Sequence, residues 1–114
     1  MRENHLIPTS LNLATVRRSD GKVVLTATGE IDLSNIDAFN EALSGATAEA
    51  GRNGGKFTVD LSAVEYLDSA AINALFARAT HIDVIAHPLV MPVLTISGIT
   101  ELVTVEPAQP AAER

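Results

Sequence analysis

The stretch 59–72, Val-Asp-Leu-Ser-Ala-Val-Glu-Tyr-Leu-Asp-Ser-Ala-Ala-Ile, passes from a strand of buried type into a loop and then opens a helix at Asp68-Ser69. A strand that hands over to a helix in this way commits the chain to helices laid on a sheet. The Asp-Ser pair also puts a hydroxyl at a helix N-terminus, where unpaired N–H groups and the positive end of the helix dipole gather. A phosphate on Ser69 is expected to sit in a favourable field there. Capping by Asp68, with Ser69 filling the first turn, accounts for the same pair. Local chemistry leaves both readings open.

The rest of the chain supplies the partners of that unit. Residues 1–10 are polar, carry Pro8 and read as a flexible lead-in. Leu11, Leu13 and Val16 mark a first strand, and the Asp20-Gly21 turn predicts a hairpin into a second strand over 23–28. Ser34, with Asp37 three positions on, resembles a capping box for a helix whose Ile36, Phe39, Ala42, Leu43 and Ala46 form one apolar face. Gly51-Arg52-Asn53-Gly54-Gly55 ends it, and a third strand follows over 56–61 with Phe57, Val59 and Leu61 on one face.

After Ser69, Ile72, Leu75, Phe76 and Ala79 recur at helical spacing and predict a short second helix of about three turns. A fourth strand is expected over 82–86. Of Pro88 and Pro92, one should be the first residue of the third helix; Pro92 is preferred, because Met91 before it is pushed from helical geometry. The third helix should stop at Ser97-Gly98, a last strand runs over 102–105, and residues 107–114 form a disordered tail. The expected domain therefore covers 11–106. The order β-β-α-β-α-β-α-β holds three right-handed crossovers behind a hairpin and predicts an α/β fold, a mixed sheet with helices packed on it.

Composition removes several function classes. At 114 residues the chain makes one domain. With 4% aromatic residues there are no stacking platforms for bases, and at a net charge of −6 the scattered Arg17, Arg18, Lys22, Arg52, Lys56 and Arg78 form no stripe for a phosphate backbone, so no nucleic acid is expected. The absence of cysteine and of an apolar leader suits a cytoplasmic protein. The apolar tract 84–96 is broken by Pro88 and Pro92 and is too short to span a bilayer.

Catalytic readings are weak. Ser69 has no Gly-x-Ser-x-Gly elbow to join it with His81 or His87 and Asp60 in a hydrolase, and Asp60 suits a turn. Glu30 and Asp32 share a side if their strand continues, yet a solvated rim beside a helix start explains them without a metal. No phosphate loop is present. The expectation is a chain with no catalytic residue, no metal and no cofactor.

Three landmarks carry a resemblance: Gly29-Glu30-Ile31-Asp32, then 59–62 with Asp68-Ser69, and Ile96-Ser97-Gly98-Ile99. They resemble the STAS domains of bacterial anti-sigma factor antagonists over about residues 11–105. The resemblance implies a STAS-like fold in which Ser69 is phosphorylated by an anti-sigma factor with serine-kinase activity. The unphosphorylated chain would bind that factor and free a sigma factor, and a serine phosphatase would reset the switch. Glu30, Asp32, Ser34, Asp68, Ser69, Ala70, Ala71 and Asn73 would form the partner-facing end.

The chain departs from the family at Ala70-Ala71, where Ser-Gly or a similar pair is common, in its short link from the second helix to the fourth strand, and at Pro92. A second reading fits these departures: a non-switching STAS subunit of a lipid-transport ATPase complex. It requires an exposed apolar patch, for which Val90, Met91, Val93 and Ile96 are the candidates.

Overall fold

The hairpin, the crossovers and their turns assemble into one five-stranded sheet in a computed structural model that describes residues 10–51 and 55–109. The strands are β1 (Leu11–Arg17), β2 (Val23–Ile31), β3 (Phe57–Leu67), β4 (Ile82–Ala86) and β5 (Val105–Pro107). They lie side by side in sequence order; β1 is antiparallel to β2 and the remaining pairs are parallel. Between them run α1 (Ile36–Ala50), α2 (Ser69–Phe76) and α3 (Met91–Ser97). Crossovers of one hand, each stepping to the next lane in the same direction, place their helices on one face of a sheet. Burial alternates accordingly. Val23, Leu25, Ala27, Phe57, Val59, Leu61, Ile82, Val84 and Ala86 are buried against that layer, while Val24, Thr26, Thr58, Asp60, Asp83 and Ile85 between them are half-exposed.

The helix layer closes the core with the residues that the periodicity selects. Phe39, Leu43, Ala46 and Ala50 of α1 and Ala71, Ile72, Ala74 and Leu75 of α2 are buried, joined by Leu94 of α3. Two glycines have backbone reasons. Gly29 has φ +118°, and a Cβ there would stand 2.4 Å from the Ser10 carbonyl oxygen, where the hairpin partner passes. Gly98, at φ 89°, ends α3 in the left-handed conformation.

Several elements depart from the sequence expectation, each for a local reason. β2 runs on to Ile31, and β3 runs to Leu67 instead of stopping at Leu61. Thr26 faces Asp60 but Thr28 faces Ala63, and Gly29 faces Val64 but Glu30 faces Tyr66, so β3 carries an extra residue twice. These irregularities break the two-residue alternation: the buried positions continue at Val64 and Leu67 in steps of three. Asp60 serves the first of them, accepting the Ser62 N–H at 2.9 Å. α2 has eight residues, about two turns rather than three, and Ala79 falls in a separate 3-10 turn, Ala79–His81.

α3 begins at Met91 with Pro92 in its second position, where a missing N–H breaks no bond of the helix. The restriction on a residue preceding proline is a bias, and here Met91 is helical. β5 starts at Val105 rather than at 102, because the Leu102 and Val103 N–H groups both donate to the Ile99 carbonyl and prolong the turn that Ile99–Glu101 begins. Pro107, expected in the tail, belongs to β5, and the Ala108 N–H donates to Ala86. The expected lead-in apart from Ser10, residues 52–54 of the glycine turn, and the tail from 110 onward lie outside the described residues. Among the described residues no helix is long and apolar enough to cross a membrane.

Candidate functional site

Parallel strands finish at a common end, and β2 and β3 finish together: Ile31 faces Leu67, and the Asp68 N–H donates to the Ile31 carbonyl at 3.1 Å. The β2–α1 loop and the start of α2 are therefore neighbours. Asp68 binds both. One carboxylate oxygen accepts the Ala70 and Ala71 N–H groups at 2.9 and 3.2 Å, capping α2, and the other accepts the Leu33 N–H at 3.0 Å. Ser69, the first residue of α2, is exposed.

This geometry changes the electrostatic expectation for Ser69. Two of the N–H donors that a phosphate would seek, those of Ala70 and Ala71, are already held by Asp68. A phosphoryl group on Ser69 would meet a neighbouring carboxylate and project outward rather than settle onto the helix terminus.

The expected cap of α1 does not form. Ser34 precedes the N-cap and hydrogen-bonds Asp32 instead, its hydroxyl at 2.6 Å and its N–H at 2.9 Å from the same carboxylate oxygen. Asn35 is the N-cap residue, without a side-chain bond to the helix. Its amide turns back to the loop: Oδ1 accepts the Asp32 N–H and Nδ2 donates to the Glu30 carbonyl, both at 3.0 Å. At 9% exposure this side chain is the buried polar group of the described residues. Sequence reasoning missed it, although an asparagine ahead of an apolar helical period is itself a recognised start mark.

Of the residues expected at the partner-facing end, Glu30, Ser34, Ser69 and Asn73 are exposed, and Asp32, Asp68 and Ala70 are half-exposed. Ala71 is not available to a partner, because its methyl group is fully buried under α2. Two residues outside the expectation stand in solvent at this end: Leu33, 75% exposed, and Tyr66, 50% exposed. A leucine between Asp32 and Ser34 on a polar loop was the available mark of the first. The second was hidden because the alternation of β3 was lost.

The candidate apolar patch on α3 has a different membership from the expected one. Val90 is buried and Met91 half-buried, whereas Val93 and Ile96 of α3 are exposed, as is Leu89 in the turn that precedes the helix.

Comparison with known proteins agrees with this architecture. A crystal structure of an anti-sigma factor antagonist from Mycobacterium paratuberculosis superposes with a TM-score of 0.76 at 25% identity, covering 87% of this chain and 87% of that one. The Bacillus anti-sigma factor antagonist SpoIIAA matches in its unphosphorylated form with a TM-score of 0.62 at 18% identity, over 88% of this chain and 89% of that one. Its phosphorylated form gives 0.54 at 18% identity, over 88% and 92%. No curated protein matches the sequence. The family model described as Mlab, STAS domain matches residues 14–104, and with the fold it accounts for most of the chain, which belongs to the STAS-domain family.

Proposed function

We propose that the chain is an anti-sigma factor antagonist. Unphosphorylated, it binds an anti-sigma factor through the Ser69 end and so releases a sigma factor; a serine kinase carried by that partner phosphorylates Ser69 and ends the binding, and a serine phosphatase restores it. On this reading the chain performs no chemistry of its own and works in the cytoplasm. The observation that carries it is the exposed Ser69, at the head of α2 on an end whose two segments Asp68 bonds together.

The physical effect of phosphorylation follows from that position. A phosphoserine adds about 1.5 to 2 negative charges at neutral pH and a bulky hydrated group. Because Asp68 holds the Ala70 and Ala71 N–H groups, the phosphate is pressed into the contact instead of being absorbed by the helix. A loss of about 3 kcal/mol at the contact weakens binding more than about a hundredfold.

The test is calorimetric titration of purified serine-kinase-type anti-sigma factors from the same genome with the wild type, Ser69→Ala and Ser69→Asp, each checked for folding. Wild type and Ser69→Ala should bind one of them alike, and Ser69→Asp at least about tenfold more weakly. Equal binding of Ala and Asp variants sinks the switch.

A second reading, the non-switching subunit of a lipid-transport ATPase complex, is favoured by one observation: Val93 and Ile96 of α3 and Leu89 in the turn before it are exposed apolar side chains. It takes over if wild type, Ser69→Ala and Ser69→Asp, each used as bait, recover the same transporter subunits from lysate.

A further inference from the structure

We infer that the partner meets the Ser69 end with apolar sockets for Leu33 and Tyr66, set in a rim of Lys or Arg side chains. The inference rests on the reading of this end as the docking surface and adds the chemistry of what docks. Leu33 and Tyr66 lie on adjoining segments, since the Leu33 N–H is bonded to Asp68 and Tyr66 faces Glu30 across the ladder. Both side chains are largely in solvent, yet each sits on backbone that is already fixed. Anchors of this kind lose little freedom on binding; tyrosine is enriched among the residues that dominate interface energies, and an aliphatic anchor seated in a pocket can join it.

Charge selects the occupant. Residues 29–40 and 62–73 carry Glu30, Asp32, Asp37, Glu65 and Asp68 and no Lys or Arg, and His87 from the end of β4 stands 3.9 Å from Glu65. The opposite end is mixed: Arg17, Arg18, Lys22 and Lys56 lie there with Asp20, Glu49 and Asp83, two of them paired as Arg17–Glu49 and Lys56–Asp83. A second copy of the chain docked on the Ser69 end would set carboxylates against carboxylates, and an anionic lipid surface or a nucleic acid would be repelled in the same way. A basic protein surface is attracted. On such a surface the charge added by a phosphate or by Ser69→Asp favours encounter, and the loss of binding comes from the cost of desolvating that charge at the contact. The apolar face of α3 offers no comparable choice, since residues 88–100 carry no charge, and it serves as the control.

Titration with the anti-sigma factor that binds the wild type decides the matter. Leu33→Ser and Tyr66→Ser should each weaken binding at least about tenfold with unchanged thermal melts, whereas Val93→Ser and Ile96→Ser stay within about twofold. Raising the salt from about 50 to about 500 mM should weaken the wild type by roughly tenfold or more. If Ser69→Asp loses the partner while Leu33→Ser and Tyr66→Ser keep it, the inference is overturned and the proposed function stands.

If no anti-sigma factor binds, the proposed function fails, and the surface chemistry is decided by a probe independent of it, a short amphipathic helix of leucine and lysine followed by amide NMR shifts. Shifts at residues 30–34 and 65–70 that vanish in Leu33→Ser and Tyr66→Ser support the inference. Shifts centred on α3, or none at millimolar peptide, overturn it.

Discussion

The two helices that begin at the Ser69 end do so by different means. α2 is capped by its own neighbour: Asp68 precedes it and accepts two of its free N–H groups. α1 has no side-chain cap, and the polar residues before it face away from the helix, Ser34 to Asp32 and Asn35 to Asp32 and Glu30. The first start is stabilised locally. At the second, side-chain bonding is spent on folding the loop, which is then fastened to the first through Leu33 and Asp68. The pair teaches that a capping residue can serve a neighbouring element as well as its own helix, and that one carboxylate ties the β2–α1 loop to the start of α2.

That comparison can be broken at its centre. Asp68→Ala removes the acceptor of three N–H groups, on Leu33, Ala70 and Ala71, and should lower stability by about 2–3 kcal/mol in urea unfolding, above the cost of an ordinary cap. A loss no larger than about 1 kcal/mol would mean that the Leu33 bond contributes nothing. Asn35→Ala should come next, at about 1–2 kcal/mol, because it leaves the Asp32 N–H and the Glu30 carbonyl without their side-chain partner in a buried site. Amide hydrogen exchange on the described loop should accelerate at Asp32 in that variant, and an unchanged rate there would contradict the role given to Asn35. The smallest effect is expected at Ser34→Ala, under about 0.5 kcal/mol, since its hydroxyl bonds an exposed carboxylate rather than the helix. A loss near 1 kcal/mol would restore Ser34 as the cap of α1.

The same contrast marks where the sequence was legible. Asp68 could be read as a cap because its partners are two and three residues away. Its bond to Leu33, 35 residues back, could not. β4 was read at its true bounds because Ile82, Val84 and Ala86 alternate without interruption. β3 was cut short because its two extra residues shift the pattern, and an extra residue in a strand is defined only by its pairing partner. Of the candidate site, Ser69 and Asp68 came from local chemistry and the resemblance; that Ala71 and Asn35 are buried while Leu33 and Tyr66 are exposed was not legible, since burial and exposure at a loop depend on what packs beside it.

By itself the sequence determined the layering: apolar residues repeat at two and at three to four positions in an order that only a hairpin followed by crossovers can bury. It also determined the Asp68-Ser69 start of α2, whose bonds span a single turn. Tertiary structure alone decided that Asp68 reaches Leu33, that Ala71 is covered while Leu33 and Tyr66 are bare, and that Arg17, Lys22 and Lys56, apart in sequence, lie together at the end opposite Ser69. The reason is range. Helix periodicity and capping act within a few residues, whereas strand register joins segments more than thirty residues apart and sets, in one step, which side chains meet and which face solvent.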